Sequence, residues 1–209
     1  WAYKAAELVN KYGPGPIPDT VVTGPEDMIA GPAIGVITEG GLVAAKSAWV
    51  AAKVNFNHGV TNAIGKGAER VGQAIIRNIQ TPGGEKLYKD IEFSQAYHGI
   101  DDLVENTVTG NKVIVEYKAN RLGLGNTNAG TQMSDEWSRN KAFKMQSSSN
   151  SQSRGINPQL GAALQSDLNA GNAERIVIVI DTITGDASIH LPNSETGGWS
   201  SIGSVNLNY

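Results

Sequence analysis

Three residues in this chain have the types and the spacing to hold a divalent cation against a phosphate: Asp101, Glu116 and Lys118, in the pattern D-x14-E-x-K. A cation such as Mg²⁺ takes hard oxygen ligands, commonly one or two carboxylates completed by water and substrate phosphate. Glu116 and Lys118 close the apolar run "VIVEYK". Alternation along a strand puts them on one face with Tyr117 on the other. Two opposite charges then leave the sheet side by side where a core would want leucine, and burial of an unpaired charge is costly, so the pair reaches water or does chemistry. Asp101 starts the preceding strand, and the turn at 107–111 brings its carboxylate within cation-sharing distance of Glu116. Lys118 is then placed to orient or activate an attacking water, or to stabilise charge building on phosphorus. The bland alternative is an exposed Glu–Lys pair at a fraying strand end.

Positioning that trio requires a hairpin, and the sequence supplies one: "GIDDLVENT" and "KVIVEYKA" flank the turn "VTGN". "KLYKDIEFS" reads as a strand before them, which makes a short meander. Upstream, Val60, Ile64, Ala68, Val71, Ile75 and Ile79 recur by fours and one three, the stripe of a helix with one buried face, ended at Pro82-Gly83-Gly84. A second face of that helix carries Gly65, Glu69, Gly72 and Ile76, where a carboxylate lies between two glycines that admit a close neighbour. Glu69 is therefore a candidate extra metal or water contact, with a solvated helix glutamate as the alternative. Downstream come a glycine-rich loop, the helix "MSDEWSRNKAFKM", the polar loop "QSSSNSQSRG", a second helix over "GINPQLGAALQSDLNAGN", and the hairpin "ERIVIVIDTITGDASIHL". The first limb of that hairpin is apolar throughout, as expected of a strand covered on both faces. The order is that of an α/β sandwich.

With 209 residues and 40% hydrophobic content, the chain can build one well-buried domain of about 150 residues plus an appendage. "WAYKAAELVNKYG" is a short amphipathic helix and "PGPIPDTVVTGP" a proline-rich linker, so residues 1–58 are expected to be a leader and 59–209 the main domain. The start at Trp1, without a signal pattern, suggests a piece of a longer protein. Absence of cysteine excludes disulfides, thiolate metal sites and a cysteine nucleophile. The most apolar stretch, "IAGPAIGVITEGGLVAAKSAWVAAKV", is broken by Glu39, Lys46 and Lys53, so no stable membrane span is expected.

Charge is segregated. The net −3 hides seven Lys or Arg against three Asp or Glu in residues 112–154, and one against five in residues 155–209. The basic segment follows the candidate trio directly, and Arg121, Arg139, Lys141 and Lys144 are placed to track a phosphate backbone without reading sequence. The three histidines, His58, His98 and His190, are scattered. His98 stands three residues before Asp101; His58 and His190 read as structural. A histidine base for metal-independent RNA cleavage would need a second positioned group.

At "GIDDLV", "VIVEYK" and "GTQMSDEW" the sequence resembles the PD-(D/E)xK nuclease superfamily, and within it the restriction-endonuclease-like toxin domains at the C-termini of bacterial polymorphic toxins of the contact-dependent growth inhibition and Rhs types. The resemblance spans about residues 60–190. It implies an α/β core with a central mixed sheet flanked by helices, here with an N-terminal helical leader, and metal-dependent phosphodiester hydrolysis. It makes Asp101 and Glu116 metal ligands, Lys118 the water-orienting base, and Glu69 the match to the family's frequent helical glutamate. Gln132 would reach the site from the Q-M-S segment, while Met133 and Trp137 belong to the core. Two features depart from the family pattern: Asp101 and Asp102 leave the register open, with Asp101 preferred because it follows Gly-Ile directly, and Tyr117 replaces a small residue. The implied cofactor is Mg²⁺, or else Mn²⁺ or Zn²⁺. The implied substrate is DNA, or alternatively tRNA. The implied partner is an acidic cognate immunity protein, with secretion or surface delivery by the producer and action in the target-cell cytoplasm. The rival from another class is a binding or delivery module whose acidic residues hold structure or calcium.

Overall fold

The turn "NTVTGN" folds the chain back on itself because Asn106 Oδ1 accepts the N–H groups of Val108 and Thr109, at 3.0 and 3.3 Å, and Gly110 takes a positive φ of 74°. In the computed structural model, which describes residues 22–23, 35–57, 61–81, 83–92, 99–146, 158–193 and 198–208, this turn joins β5 (Asp102–Asn106) to β6 (Lys112–Ala119). Ahead of them lie β1 (Val22–Thr23), β2 (Gly35–Ile37), α1 (Glu39–Asn57), α2 (Thr61–Ile76), β3 (Ile79–Gln80) and β4 (Tyr88–Asp90). After them come β7 (Asn126–Thr127), β8 (Gly130–Thr131), α3 (Asp135–Gln146), α4 (Pro158–Ala170), β9 (Glu174–Ile180), β10 (Asp186–Pro192) and β11 (Trp199–Asn206).

Six strands form one mixed sheet in the order β11-β10-β9-β6-β5-β4, parallel between β6 and β9 and antiparallel elsewhere. The parallel pair sits in the middle, covered on both faces, which is why "VIV" and "IVIVI" are continuous apolar runs. Alternation divides their side chains. Val113, Val115 and Tyr117 point to the face where α2 brings Ala68, Val71 and Ile75 and α1 brings Leu42, Ala45 and Trp49. Ile114, Val177 and Val179 point to the other face, under Trp137 and Met145 of α3 and Leu160, Leu164 and Leu168 of α4. The expected α/β architecture, with a mixed sheet flanked by helices, is the one observed.

Several boundaries differ from the sequence expectation. Helix α2 ends at Ile76 rather than running to Ile79: Asn78 Nδ2 donates to the Ala74 carbonyl at 2.7 Å and Ile79 enters the short strand β3, so its apolar side chain joins the core as a strand residue. Strand β11 was not anticipated; it is an edge strand with half-exposed side chains, so its sequence lacks clean alternation. Helix α1, grouped with the leader by sequence, buries Leu42, Ala45, Trp49 and Ala52 in the same cluster as α2, as a helix packed on the main sheet does. Residues 1–21 and 24–34, which hold the anticipated N-terminal helix and most of the proline linker, lie outside the described residues, as does 147–157 of the polar loop. Among the described residues no helix is long and apolar enough to cross a membrane.

Candidate active site

The ladder between β5 and β6 pairs Asp102 with Val115, so one step back along β5 and one step on along β6 set Asp101 facing Glu116. Asp101 Oδ2 accepts the Tyr117 N–H at 3.0 Å, which extends the pairing past the strand end. Glu116 is only 2% exposed. Lys118 Nζ donates to Glu116 Oε1 at 2.8 Å and to Gln132 Oε1 at 2.8 Å, and Gln132 Nε2 donates to that same Glu116 Oε1. The other oxygen, Glu116 Oε2, is buried with no hydrogen-bond partner among the described residues.

Burial, then repulsion from the Asp101 carboxylate, pushes the Glu116 carboxyl up to about 8, against the opposing pull of Lys118. Ionised carboxylates only accept hydrogen bonds, so two of them in contact call for a shared proton or a cation between them. The orphaned Oε2, the facing Asp101 and the all-oxygen donor set fit a hard divalent cation. Among the described residues no cluster of three carboxylates or histidines forms, so the remaining ligands would be water and phosphate, as Mg²⁺ tolerates.

Gln132 reaches the trio because the chain turns sharply behind it. Met133 adopts φ 67°, unusual for a bulky residue, and its carbonyl accepts from Arg175 Nη1 at 2.9 Å, while the same guanidinium nitrogen pairs with Asp135 at 2.6 Å. The left-handed step sends Met133 into the core and leaves Gln132 beside Lys118. Ser134 caps α3, its Oγ accepting the Trp137 N–H at 3.2 Å. The local sequence carries no signal for the Arg175 anchor, which lies 42 residues away.

Asp102 serves the opposite face. Its Oδ2 accepts the Tyr117 hydroxyl at 2.9 Å and stands 3.5 Å from Arg77 Nη2, and its Oδ1 accepts the Leu103 N–H at 2.9 Å.

Glu69 is not brought to the trio. Its helix, α2, packs on the Tyr117 face of the sheet, and Glu69 Oε1 accepts from Gln73 Nε2 at 3.5 Å. The two flanking glycines differ in what they face: a Cβ on Gly72 would lie 2.1 Å from Tyr117 Cδ1, so that glycine admits the tyrosine ring, and Gly65 faces open space.

The basic residues divide. Lys141 Nζ lies 5.2 Å from the Trp137 ring centre and close to Gly99, where an added Cβ would be 3.2 Å away. Burial, then the neighbouring Lys144, lowers the Lys141 pKa, while the Glu116 carboxylate pulls it up. Lys144 and Arg121 are exposed. Arg139 is committed elsewhere: Nη1 donates to Asn169 Oδ1 and Nη2 to the Leu168 carbonyl at 2.9 Å, so it ties α3 to the end of α4 rather than facing a phosphate.

His58 and His98 lie outside the described residues. His190, read from sequence as structural, occupies the same cross-strand row as Glu116, since Val177 pairs with both. Its Nε2 is 2.9 Å from Ser188 Oγ, and its Nδ1 is buried without a partner among the described residues. Two strand spacings, roughly 10 Å, separate the backbones of His190 and Glu116, too far for a shared proton.

No family model matches the chain, and neither a curated protein nor a solved structure matches it.

Proposed function

We propose that the chain is a metal-dependent nuclease of the restriction-endonuclease-like class, a toxin domain that hydrolyses phosphodiester bonds, with DNA as first substrate and tRNA as the alternative. The observation that carries this reading is the Glu116 carboxylate, buried against Asp101 with one oxygen lacking any donor among the described residues while Lys118 holds the other. A protein keeps such a group at a cost unless the group has work to do.

Asp101 and Glu116 would hold the cation, with Mg²⁺ or Mn²⁺ favoured over Zn²⁺ by the oxygen-only set. Bound there, a divalent cation supplies Lewis acidity to the phosphoryl oxygen and lowers the pKa of its water. Lys118 holds its ammonium at the edge of the carboxylate pair, fixed by both Glu116 and Gln132, and from that position it orients a water or stabilises charge building on the phosphate. Gln132 locks both side chains in one arrangement, so little reorganisation is needed when substrate arrives. Lys141 adds positive charge beside the carboxylates.

A nuclease without strong sequence choice implies a cognate immunity protein in the producer, acidic enough to answer the basic segment 112–154, and delivery into the cytoplasm of a target cell. The test is direct: incubate the purified chain with plasmid DNA and with total tRNA, with Mg²⁺ and with EDTA. Loss of either substrate only with Mg²⁺ is expected, and intact substrates at high protein concentration with Mg²⁺, Mn²⁺ and Zn²⁺ would overturn the reading.

A further inference from the structure

An open groove of about 580 Å³ runs between α3 and the β7–β8 hairpin, lined by Asn140, Lys141 and Lys144 on one wall and Asn126, Thr127 and Asn128 on the other. Its volume falls in the roughly 300–1,000 Å³ range of small-ligand sites. Lys141 joins the groove to the candidate site, since it lies against Gly99, two residues before Asp101, and is drawn electrostatically by Glu116. The chemistry of the lining is uneven. Two ammonium groups stand on the helix wall, amides and a hydroxyl on the hairpin wall, and no carboxylate lines the groove among the described residues. Asn140 Oδ1 is buried and has no hydrogen-bond partner among the described residues. Asn126 Oδ1 already accepts from Thr131 Oγ1 at 2.8 Å, and its amide nitrogen has two donors to offer.

Helix α3 also carries an aromatic ring that packing leaves uncovered. Phe143 is 66% exposed, whereas Trp137 on the same helix is 1% exposed. Residues three apart on a helix are surface neighbours, so Phe143 adjoins Asn140, and it directly precedes Lys144. An exposed ring next to cations and amides is what binds an unpaired nucleotide: the base stacks on the ring, its edge meets the amides, and the phosphates meet the ammonium groups. A base held inside a duplex cannot offer its face in this way.

We infer that the groove between α3 and the β7–β8 hairpin seats an unpaired nucleotide adjoining the phosphate at the carboxylate pair, with Phe143 as the stacking platform and Lys141 and Lys144 on its flanking phosphates. The inference rests on the nuclease reading for its choice of nucleic acid as the occupant. It commits the site to single-stranded segments, whether of RNA or of DNA, in preference to uniform duplex.

Binding tests it without requiring cleavage. Fluorescence anisotropy of the full chain in EDTA, against a labelled single-stranded RNA, the matching single-stranded DNA and the same DNA annealed to its complement, is expected to rank one of the single strands at least about tenfold above the duplex. Phe143→Ala should weaken single-strand binding by roughly 5- to 150-fold, the range of one lost base-stacking contact, and barely alter the duplex. Ile183→Ala, which removes a still more exposed apolar side chain from the β9–β10 turn, should change neither. Equal or tighter duplex binding, no binding of any oligonucleotide, or an unchanged Phe143→Ala affinity would each overturn the groove assignment. The RNA and DNA arms decide which single strand is preferred. Metal-dependent cleavage of duplex plasmid at full rate by Phe143→Ala would remove the groove and leave the nuclease standing, whereas single-strand binding with no cleavage under any metal would remove the nuclease and leave the groove.

Discussion

Neighbouring aspartates on one strand end meet opposite fates on the two faces of the β5–β6 hairpin. On the α2 face, Asp102 is 6% exposed and fully answered, by the Tyr117 hydroxyl, the Leu103 N–H and Arg77. On the α3 face, Asp101 stands against Glu116, and Glu116 Oε2 has no donor among the described residues. Both carboxylates, Asp102 and Glu116, are driven towards the neutral form first by burial. They differ in what else surrounds them: a phenol and a guanidinium beside Asp102 favour its charged form, while a second carboxylate beside Glu116 opposes it. A buried carboxylate with its hydrogen bonds met is part of the framework, and one left unmet next to a like charge calls for a shared proton or a cation.

The largest contrast is expected from removing one charge on each face. Glu116→Gln should lower phosphodiester cleavage by at least about 10²–10³-fold, because charge placed at the reacting phosphate contributes on that scale. The same change should leave Tm equal or higher, since a like-charge contact is relieved at the site. Asp102→Ala should do the reverse. Leaving the buried Tyr117 hydroxyl without its acceptor costs about 1–3 kcal/mol of stability, read as a shifted urea midpoint, while cleavage per folded molecule stays within a few-fold. Loss of cleavage in Asp102→Ala with retention in Asp101→Asn would invert the assignment of the two faces.

Much of this site is legible in the sequence, and the reason is local. The hairpin turn, strand alternation and apolar runs together specify which side chains share a face, so Glu116 and Lys118 on one face, with an aspartate at 101 or 102 across the turn, emerge from sequence positions alone. Asp101 against Asp102 is harder, because a step of one residue flips the face and only the ladder register decides it. Glu69 is misplaced for a different reason. Helical spacing gives the face of a helix that carries a residue but not the side of the sheet on which that helix packs, and the space at Gly72, which a ligand could have used, is taken by the Tyr117 ring. Arg139 likewise looks free as a helix cation, and only the tertiary contact with α4 occupies it. Strand β11 is missed because an edge strand with one half-covered face need not alternate.

Gln132 sharpens the comparison at a smaller scale. It touches both Glu116 and Lys118 yet carries no charge, so it positions the pair and takes no part in the charge balance. Gln132→Ala is expected to weaken metal affinity or cleavage by about 10- to 100-fold, the usual cost of a lost supporting hydrogen bond around a metal site. The readout that separates positioning from folding is the Mg²⁺ concentration at half-maximal rate, which should rise while the urea midpoint holds. An unchanged Mg²⁺ requirement with a lowered midpoint would make Gln132 a framework residue.

The smallest expected effect is a slope. Glu116 titrates near 4.5 when exposed and is pushed up to about 8 in the folded chain, so between those limits the folded state holds a proton that the unfolded state has lost. Stability contributed by this group is therefore full below about 4.5 and is lost as pH rises towards 8. The groups that set this behaviour are Asp101, which raises the value, and Lys118 and Lys141, whose charges favour ionisation, with burial outweighing both. Asp102 and Glu174, also raised by burial, add slope of the same sign, and His190, lowered by burial, adds the opposite sign near its ordinary value of 6.5. Subtraction isolates Glu116: the Tm of the chain minus that of Glu116→Gln, measured in EDTA, should fall across this interval. Saturating Mg²⁺ should flatten or reverse the difference, because a cation bound between Asp101 and Glu116 stabilises the ionised form and expels the proton. A difference that is flat in EDTA would mean Glu116 is already ionised without a cation, and the contrast between the two faces of the hairpin would then rest on hydrogen bonding alone.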